Sequence, residues 1–245
     1  MATELWLVDL DRTEGALETL EAATPRLSID VQERIDRMAD TATRRERRLA
    51  HIALRILLEA RLGPGIRVTP FIRTPQDKPL LAGCETAFSL SHTRGLALIA
   101  LADRDPLGVD IEVARPVRMP THRRAPIEAE AIALAGGAPL DGAGPDARFL
   151  RAWVRLEAAA KAQGRGIGAL LEPLRPSRAA AMAASAAAPK KNSPPSVIVH
   201  DVPTERNVYA ALALAAGVSP PPLRHLPDTA AGLDGLLLAK QGTRR

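Results

Sequence analysis

Two acidic residues on one predicted strand give the clearest chemical signal in this 245-residue sequence. The run LGVDIEV (107–113) has the residue types of a β-strand, in which side chains two residues apart point to the same face. Asp110 and Glu112 should therefore project together, while Val109 and Ile111 point into the core. Two adjacent carboxylates repel each other unless a cation lies between them, and Mg²⁺ prefers oxygen ligands of this kind. The pair predicts a divalent-metal site, with a solvated strand face as the alternative.

A helix later in the chain carries a third carboxylate and a lysine on one face. Trp153, Glu157 and Lys161 are spaced four residues apart, so a helix places them in a row. A plain Glu157–Lys161 ion pair, worth about 0.2–0.5 kcal/mol, leaves the aromatic residue on that face unexplained. If this helix packs against the strand, Glu157 becomes a third oxygen ligand and Lys161 a neighbouring cation. That combination suits a phosphate or pyrophosphate bound together with Mg²⁺.

Polar residues near the middle of the chain are candidates for binding phosphate. The sequence FSLSH (88–92) ends a predicted strand with Ser91 and His92, and Arg73 and Lys78 precede it. A hydrolase triad is disfavoured, because there is no GxSxG elbow and adjacent Ser and His residues cannot easily form the nucleophile–base contact. These side chains can donate hydrogen bonds to phosphate oxygens. We interpret them as phosphate ligands, with ordinary turn residues as the alternative.

The elements predicted for the first half place these residues on strands and at strand ends. Residues 4–10 predict a short strand, and a helical pattern runs from about Ser28 to Leu62, where Gly63 ends it. Residues 86–91 and 96–102 predict a hairpin joined by four polar residues. Together with residues 107–113 they make three short antiparallel strands after one long helix. That order is typical of an α+β unit.

The long helix also has a strongly basic face. Its members are Arg44, Arg45, Arg47, Arg48 and Arg55. Such a face is usually solvated, so on its own it does not require a ligand.

The second half of the chain partly repeats this arrangement. A weak helix near 126–136 leads through a Gly-rich loop to a strong helix, with Asp146 as its predicted N-cap. Residues 197–202 and 207–217 predict a final strand pair. The low-complexity stretch 177–196 is interpreted as a linker or disordered insertion, with an Ala-rich helix as the alternative. Residues 218–245 are predicted to be a poorly ordered tail.

Composition excludes several classes of protein. With 46% apolar and 25% charged residues, the chain can bury a core and is neither collagen-like nor wholly disordered. A net charge of +5 is too modest to indicate a nucleic-acid tail. The single Cys84 cannot form an internal disulfide, and neither a signal peptide nor a membrane-spanning run is evident. We expect a soluble, cytoplasmic protein.

Four motifs in order resemble those of the Sfp-type 4′-phosphopantetheinyl transferases. They are RTPQDKP (73–79), FSLSH (88–92), GVDIE (108–112) and WVRLEAAAKAQG (153–164). The resemblance extends from about residue 44 to residue 168, and the 47 residues from Asp110 to Glu157 suit the family. It implies an α+β fold with two similar lobes related by a pseudo-twofold, each a small antiparallel sheet packed with a long helix. The implied active site lies in the cleft between them. We expect lobes of residues 1–114 and 115–217, followed by the tail.

The resemblance also implies a reaction and a set of site residues. A serine of an acyl or peptidyl carrier protein would attack the β-phosphate of coenzyme A and release 3′,5′-ADP. Asp110, Glu112 and Glu157 would hold Mg²⁺, and either Glu157 or a water on the metal would be the base. Lys161 would contact the pyrophosphate of coenzyme A. The residues implied to line the coenzyme A site are Arg73, Lys78, Ser91 and His92, with Arg45 at the 3′-phosphate.

Two departures from the family pattern affect this interpretation. Leu156 stands where a Lys usually precedes the helical Glu, and residues 122–134 lack the usual Phe of the partner-binding segment. They leave open a non-catalytic relative that binds coenzyme A or a carrier protein. A nucleic-acid-binding module that uses helix 44–61 is a further alternative, but the chain has almost no exposed-aromatic candidates for base stacking and no recognisable nucleic-acid motif. We expect a monomer that binds neither nucleic acid nor membranes.

Overall fold

The structure is a computed structural model that describes residues 3–142, 144–172 and 197–241. The predicted low-complexity stretch 177–196 lies outside these ranges. The elements in chain order are β1 (Glu4–Asp9), α1 (Leu10–Ala23), α2 (Ile29–Asp36), α3 (Thr41–Leu62), β2 (Phe71–Arg73), β3 (Pro79–Leu81), β4 (Ala87–Thr93), β5 (Leu96–Ala102), β6 (Leu107–Val113), α4 (Thr121–Leu134), α5 (Pro145–Ala162), α6 (Ile167–Leu171), β7 (Val197–Asp201), β8 (Val208–Ala215), β9 (Leu223–His225) and α7 (Ala230–Gln241). Small sheets combined with several helices make this an α+β fold, as the sequence predicts. The pseudo-twofold stays a prediction.

The described residues divide into two units. Of the described residues, the first unit comprises 3–73, 79–103 and 221–241, and the second comprises 74–78, 104–142, 144–172 and 197–220. Strand β6, which we expect in the first lobe, is grouped with the second unit in the structure. The reason is its antiparallel ladder with β8, in which Asp110 lies opposite Ala211. The expectation that β6 continues the preceding hairpin as a third antiparallel strand is therefore wrong.

The first unit is built on a four-stranded sheet of order β4-β5-β1-β9. Strand β5 is antiparallel to both of its neighbours, β4 and β1, and β9 runs parallel to β1. Apolar residues of α1, α3 and α7 form one core with this sheet. Fully buried members of the core are Val8 of β1, Leu17 of α1 and Ile52 of α3. Within the described residues, no helix is long and apolar enough to cross a membrane.

The helical stretch expected from Ser28 to Leu62 is two helices rather than one. Helix α2 ends at Asp36, and α3 begins at Thr41 with Asp40 as its N-cap, whose carboxylate accepts the Thr43 N–H at 2.7 Å. Helix α1 was not predicted at all. The Asp9 side chain caps it by accepting the Arg12 N–H at 3.0 Å, directly at the end of β1. Local capping by aspartates therefore sets both helix starts.

The hairpin of β4 and β5 is confirmed, with a shorter turn than expected. Thr93 lies opposite Leu96, so only Arg94 and Gly95 form the turn. Both have positive φ, 40° and 79°, as a two-residue hairpin turn of type I′ requires. His92 consequently lies on the strand itself rather than in the loop.

The second unit contains a three-stranded sheet of order β6-β8-β7, in which each neighbouring pair is antiparallel. The predicted final strand pair is confirmed as β7 and β8. Helix α5 packs against this sheet, and its residues Val154, Ala158 and Ala162 lie in the core. The predicted N-cap of α5 is wrong, because Gly144 holds that position. Asp146 instead lies inside the first turn and pairs with Arg124 at 2.7 Å.

The predicted poorly ordered tail is also wrong for most of its length. Residues 223–225 form β9, and residues 230–241 form α7. Leu226, Leu233 and Leu237 are buried in the core of the first unit. The chain therefore returns from the second unit to complete the first.

Candidate active site

Strand β6 and helix α5 lie in direct contact at Gly108. A Cβ atom at this position would stand 2.0 Å from the Ala158 carbonyl oxygen and 2.5 Å from the Ala162 nitrogen. Only glycine allows this approach of strand to helix. Because side chains two apart share a strand face, Asp110 and Glu112 lie on the same side of the strand as Gly108. The glycine of the GVDIE motif thus brings the two carboxylates towards the helix that carries Glu157 and Lys161.

Asp110 and Lys161 are joined by a salt bridge. The Lys161 Nζ donates to the Asp110 Oδ1 at 2.7 Å. The Asp110 side chain is only 8% exposed, whereas that of Lys161 is 32% exposed. The sequence predicts Lys161 as a contact for an anionic pyrophosphate, and in the structure its ammonium group balances a buried carboxylate.

Glu157 belongs to the same electrostatic cluster. Burial raises the pKa of its carboxyl group, and the negative charge of Asp110 raises it further. Lys161 opposes this rise in pKa, while Glu112 adds to it. The charges of Asp110, Glu112 and Lys161 thus all act on Glu157, which places residues of two separate motifs in one electrostatic environment.

Glu112 faces a cation of its own. Its carboxylate accepts hydrogen bonds from Arg115 at 3.3 and 3.5 Å. Among the described residues, no three His, Cys, Asp or Glu side chains converge into a metal-binding group as they stand. The donor chemistry nevertheless fits Mg²⁺, because this face of β6 and α5 offers only carboxylate oxygens and no softer ligand.

Leu156, the departure from the family pattern, does not face this cluster. Its side chain is fully buried among apolar residues of α4 and α5, with Ile127 and Phe149 among its neighbours. A core residue therefore occupies this position in place of the usual Lys. The predicted metal ligands are unaffected by it.

Lys78 is brought to the beginning of β6. Its ammonium group pairs with the Asp105 carboxylate and donates to the Leu107 carbonyl at 3.3 Å. Its Cδ lies 3.7 Å from the place where a Cβ of Gly164, just beyond α5, would stand. Lys78 is therefore a predicted coenzyme A residue that belongs to the second unit, as Asp110, Glu112 and Glu157 do.

The other predicted coenzyme A residues belong to the first unit. Ser91 and His92 are neighbours on β4, where Ser91 is buried and His92 is partly buried. Arg73 ends β2 and is exposed. Arg45 donates to Glu14 at 2.6 and 2.7 Å and to Asp11 at 2.9 Å, so its guanidinium joins α3 to α1. Their roles toward coenzyme A stay predictions.

Sequence reasoning missed one residue beside this group, Glu46. Its carboxylate accepts the Gly95 N–H at 3.0 Å and lies 3.8 Å from the His92 Nδ1. The residue is surrounded in sequence by four arginines (RRERR, 44–48). A single acidic residue within a basic run is the one local signal that could have drawn attention to it.

The sequence matches no protein-family model. It does resemble a characterised protein, the 4′-phosphopantetheinyl transferase HetI of Nostoc sp. The two are 31% identical over 180 residues, which is 69% of this chain and 71% of HetI. An alignment of this length includes far more of the chain than the four short motifs.

Proposed function

Because this chain belongs to the 4′-phosphopantetheinyl transferase superfamily, we propose that it modifies an acyl or peptidyl carrier protein. In this proposal it transfers the 4′-phosphopantetheine moiety of coenzyme A to a carrier-protein serine and releases 3′,5′-ADP. The observation that carries the proposal is the packing of β6 on α5, which gathers Asp110, Glu157 and Lys161 into one cluster. Carboxylates beside a lysine form the type of site that binds a metal ion and a pyrophosphate.

We assign Mg²⁺ to the carboxylates of Asp110, Glu112 and Glu157. The ion would supply positive charge that neutralises pyrophosphate oxygens, the usual role of a divalent cation in phosphoryl transfer. All three groups are hard oxygen donors, and the pKa of Glu157 is raised first by burial and then by repulsion from Asp110 and Glu112. Such repulsion is what a cation relieves on binding.

The side chains of α5 have two roles in the proposed reaction. The serine oxygen forms a bond to the β-phosphorus of coenzyme A, and the bond from that phosphorus to the bridging oxygen breaks. The bridging oxygen leaves with 3′,5′-ADP, and the Lys161 ammonium group stabilises the negative charge on that side. The serine proton passes to a carboxylate oxygen of Glu157, the candidate acceptor on this chain.

Coenzyme A is proposed to bind through basic and hydroxyl side chains. Lys78 lies beside the start of β6 and offers an ammonium group to the pyrophosphate. Arg73, Ser91 and His92 offer donors for the remaining phosphate oxygens, and Arg45 is the candidate for the 3′-phosphate. The basic face of α3 adds less to this proposal than the sequence predicts, because Arg55 is buried and Arg45 and Arg48 pair with acidic residues of α1.

A mass spectrum of an apo carrier protein tests the proposal. The carrier protein is incubated with the purified chain, coenzyme A and Mg²⁺, with EDTA in a parallel reaction. We expect the carrier protein to gain one phosphopantetheine group, and EDTA to prevent this gain. Binding of coenzyme A without any transfer to several carrier proteins would instead support a non-catalytic relative.

A further inference from the structure

The turn between β4 and β5 is held from two sides. The Gly95 N–H donates to the Glu46 Oε1 at 3.0 Å, and the Gly95 carbonyl accepts the Leu10 N–H at 2.7 Å. A Cβ at Gly95 would lie 2.6 Å from a carboxylate oxygen of Asp11, so the start of α1 packs directly against the turn. The end of β4, where His92 lies, is therefore fixed by α1 and α3.

The second oxygen of Glu46 faces the imidazole of His92. The distance from Oε2 to Nδ1 is 3.8 Å, and the side chains of Glu46 and His92 are only 21% and 22% exposed. This is an ion-pair distance and is too long for a hydrogen bond, so the contact acts through charge. A carboxylate facing the ring favours the charged imidazolium, whose two N–H groups can donate hydrogen bonds to phosphate oxygens.

We infer that Glu46 is a positioning residue for coenzyme A binding, acting through His92. The inference rests on the proposed function, in which His92 binds a phosphate of coenzyme A. One carboxylate oxygen anchors the turn, and the other faces the imidazole and favours the charged form that can donate to a phosphate. A purely structural role would need only the hydrogen bond to Gly95.

Substitution of Glu46 separates these two roles. Glu46→Gln keeps an oxygen that can accept the Gly95 N–H but loses the negative charge, whereas Glu46→Ala loses both. Glu33→Gln is the matched control, since Glu33 is an exposed glutamate on α2 of the same unit. We expect Glu46→Gln to raise KM for coenzyme A about tenfold, with kcat and the melting temperature close to wild type. The control should leave all three quantities unchanged.

A double substitution shows whether Glu46 acts through His92. In a His92→Ala background, Glu46→Gln should raise KM no further, because the group it orients is gone. Nitrogen-15 NMR of the imidazole provides a readout that does not depend on activity: the fraction of doubly protonated imidazolium at a given pH should decrease in Glu46→Gln. Equal KM values for wild type and Glu46→Gln, or effects that multiply in the double variant, would overturn the inference. A wild-type chain that neither transfers nor binds coenzyme A would overturn the proposed function first, and this inference with it.

Discussion

At the scale of single residues, Gly108 allows strand β6, with Asp110 and Glu112, to contact helix α5, with Glu157 and Lys161. We predict that Gly108→Ala destabilises the protein by about 3 kcal/mol or more, because its Cβ would overlap backbone atoms of Ala158 and Ala162. Transfer activity should fall with stability, since Asp110 follows two residues later on the same strand face. Urea denaturation measures the stability change.

Gly168→Ala is the control for this substitution. Gly168 lies in α6 of the same unit, and no atom lies within 4 Å of a Cβ placed there. Its free energy of unfolding should be unchanged or slightly raised, because alanine favours a helix over glycine. A Gly108 variant as stable as this control would contradict the packing of β6 on α5.

The sequence predicts which side chains share a face better than it predicts the partners of those side chains. Asp110, Glu112, Glu157 and Lys161 follow from period-two and period-four spacing, which depend only on strand and helix geometry. The salt bridge from Lys161 to Asp110 joins residues 51 positions apart, so no local pattern contains it. Glu46 was missed for the same reason, because its partners Gly95 and His92 lie on a distant hairpin.

At the scale of elements, an ion-pair cluster ties α5 to the end of β7. Arg155, which is almost fully buried, donates to both carboxylate oxygens of Asp201 at 2.8 Å and also to the Ala138 and Pro139 carbonyls. Burial raises the pKa of Asp201, but the hydrogen bonds and charges of Arg155 and Arg151 lower it more, so that it lies below the ordinary value. The cluster therefore depends on an ionised aspartate.

This shift gives the stability a defined dependence on pH. A carboxyl group with a lowered pKa in the folded state contributes its full stabilisation above its unfolded pKa and loses it as pH falls through the folded value. We predict that Asp201→Asn costs about 1–3 kcal/mol at neutral pH and that this difference from wild type shrinks below about pH 4. Urea denaturation across this pH range is the measurement. A cost that stays constant with pH would refute the ionic role, and Asp141→Asn at an exposed aspartate is the control.

Helices and strands with a clear periodicity of apolar residues are predicted well. Helix boundaries that depend on side-chain caps are not. Strands β4 to β6 and helix α5 follow from apolar alternation and from the three- and four-residue apolar repeat. The division between α2 and α3 depends on the cap at Asp40, which lies inside an apparently continuous helical pattern. The pairing of β6 with β8 joins residues about 100 positions apart, and strand periodicity contains no information about partners.

At the scale of the whole molecule, the C-terminal segment belongs to the first unit and not to a free tail. Leu233 of α7 is fully buried in the core that α3 also forms, whereas Leu238 on the same helix is 68% exposed. We predict that Leu233→Ala lowers the free energy of unfolding by about 2–5 kcal/mol and that Leu238→Ala changes it by less than about 0.5 kcal/mol. Chemical denaturation of both variants checks this, and equal effects would show that α7 does not pack as described.

The prediction of a poorly ordered tail was wrong because the composition of this segment is typical of irregular chain. The run PPPLRHLPDTAAGLDG has prolines and glycines typical of irregular chain, and its apolar residues are few. Its order comes from tertiary contacts: β9 pairs in parallel with β1, and Leu226 lies in the core. The rest of the fold can order a short segment through tertiary contacts, and those contacts cannot be predicted from the local sequence.

The most direct test of the account is phosphopantetheine transfer by Asp110→Asn. This variant is nearly isosteric and keeps an oxygen for Lys161, but it removes the buried negative charge assigned to Mg²⁺. We predict that transfer to an apo carrier protein, followed by mass spectrometry, falls by at least about 100-fold, while circular dichroism shows that the variant is still folded and Asp141→Asn remains fully active. Retention of EDTA-sensitive transfer by Asp110→Asn at the wild-type rate would contradict the assignment of the carboxylate cluster as the catalytic site.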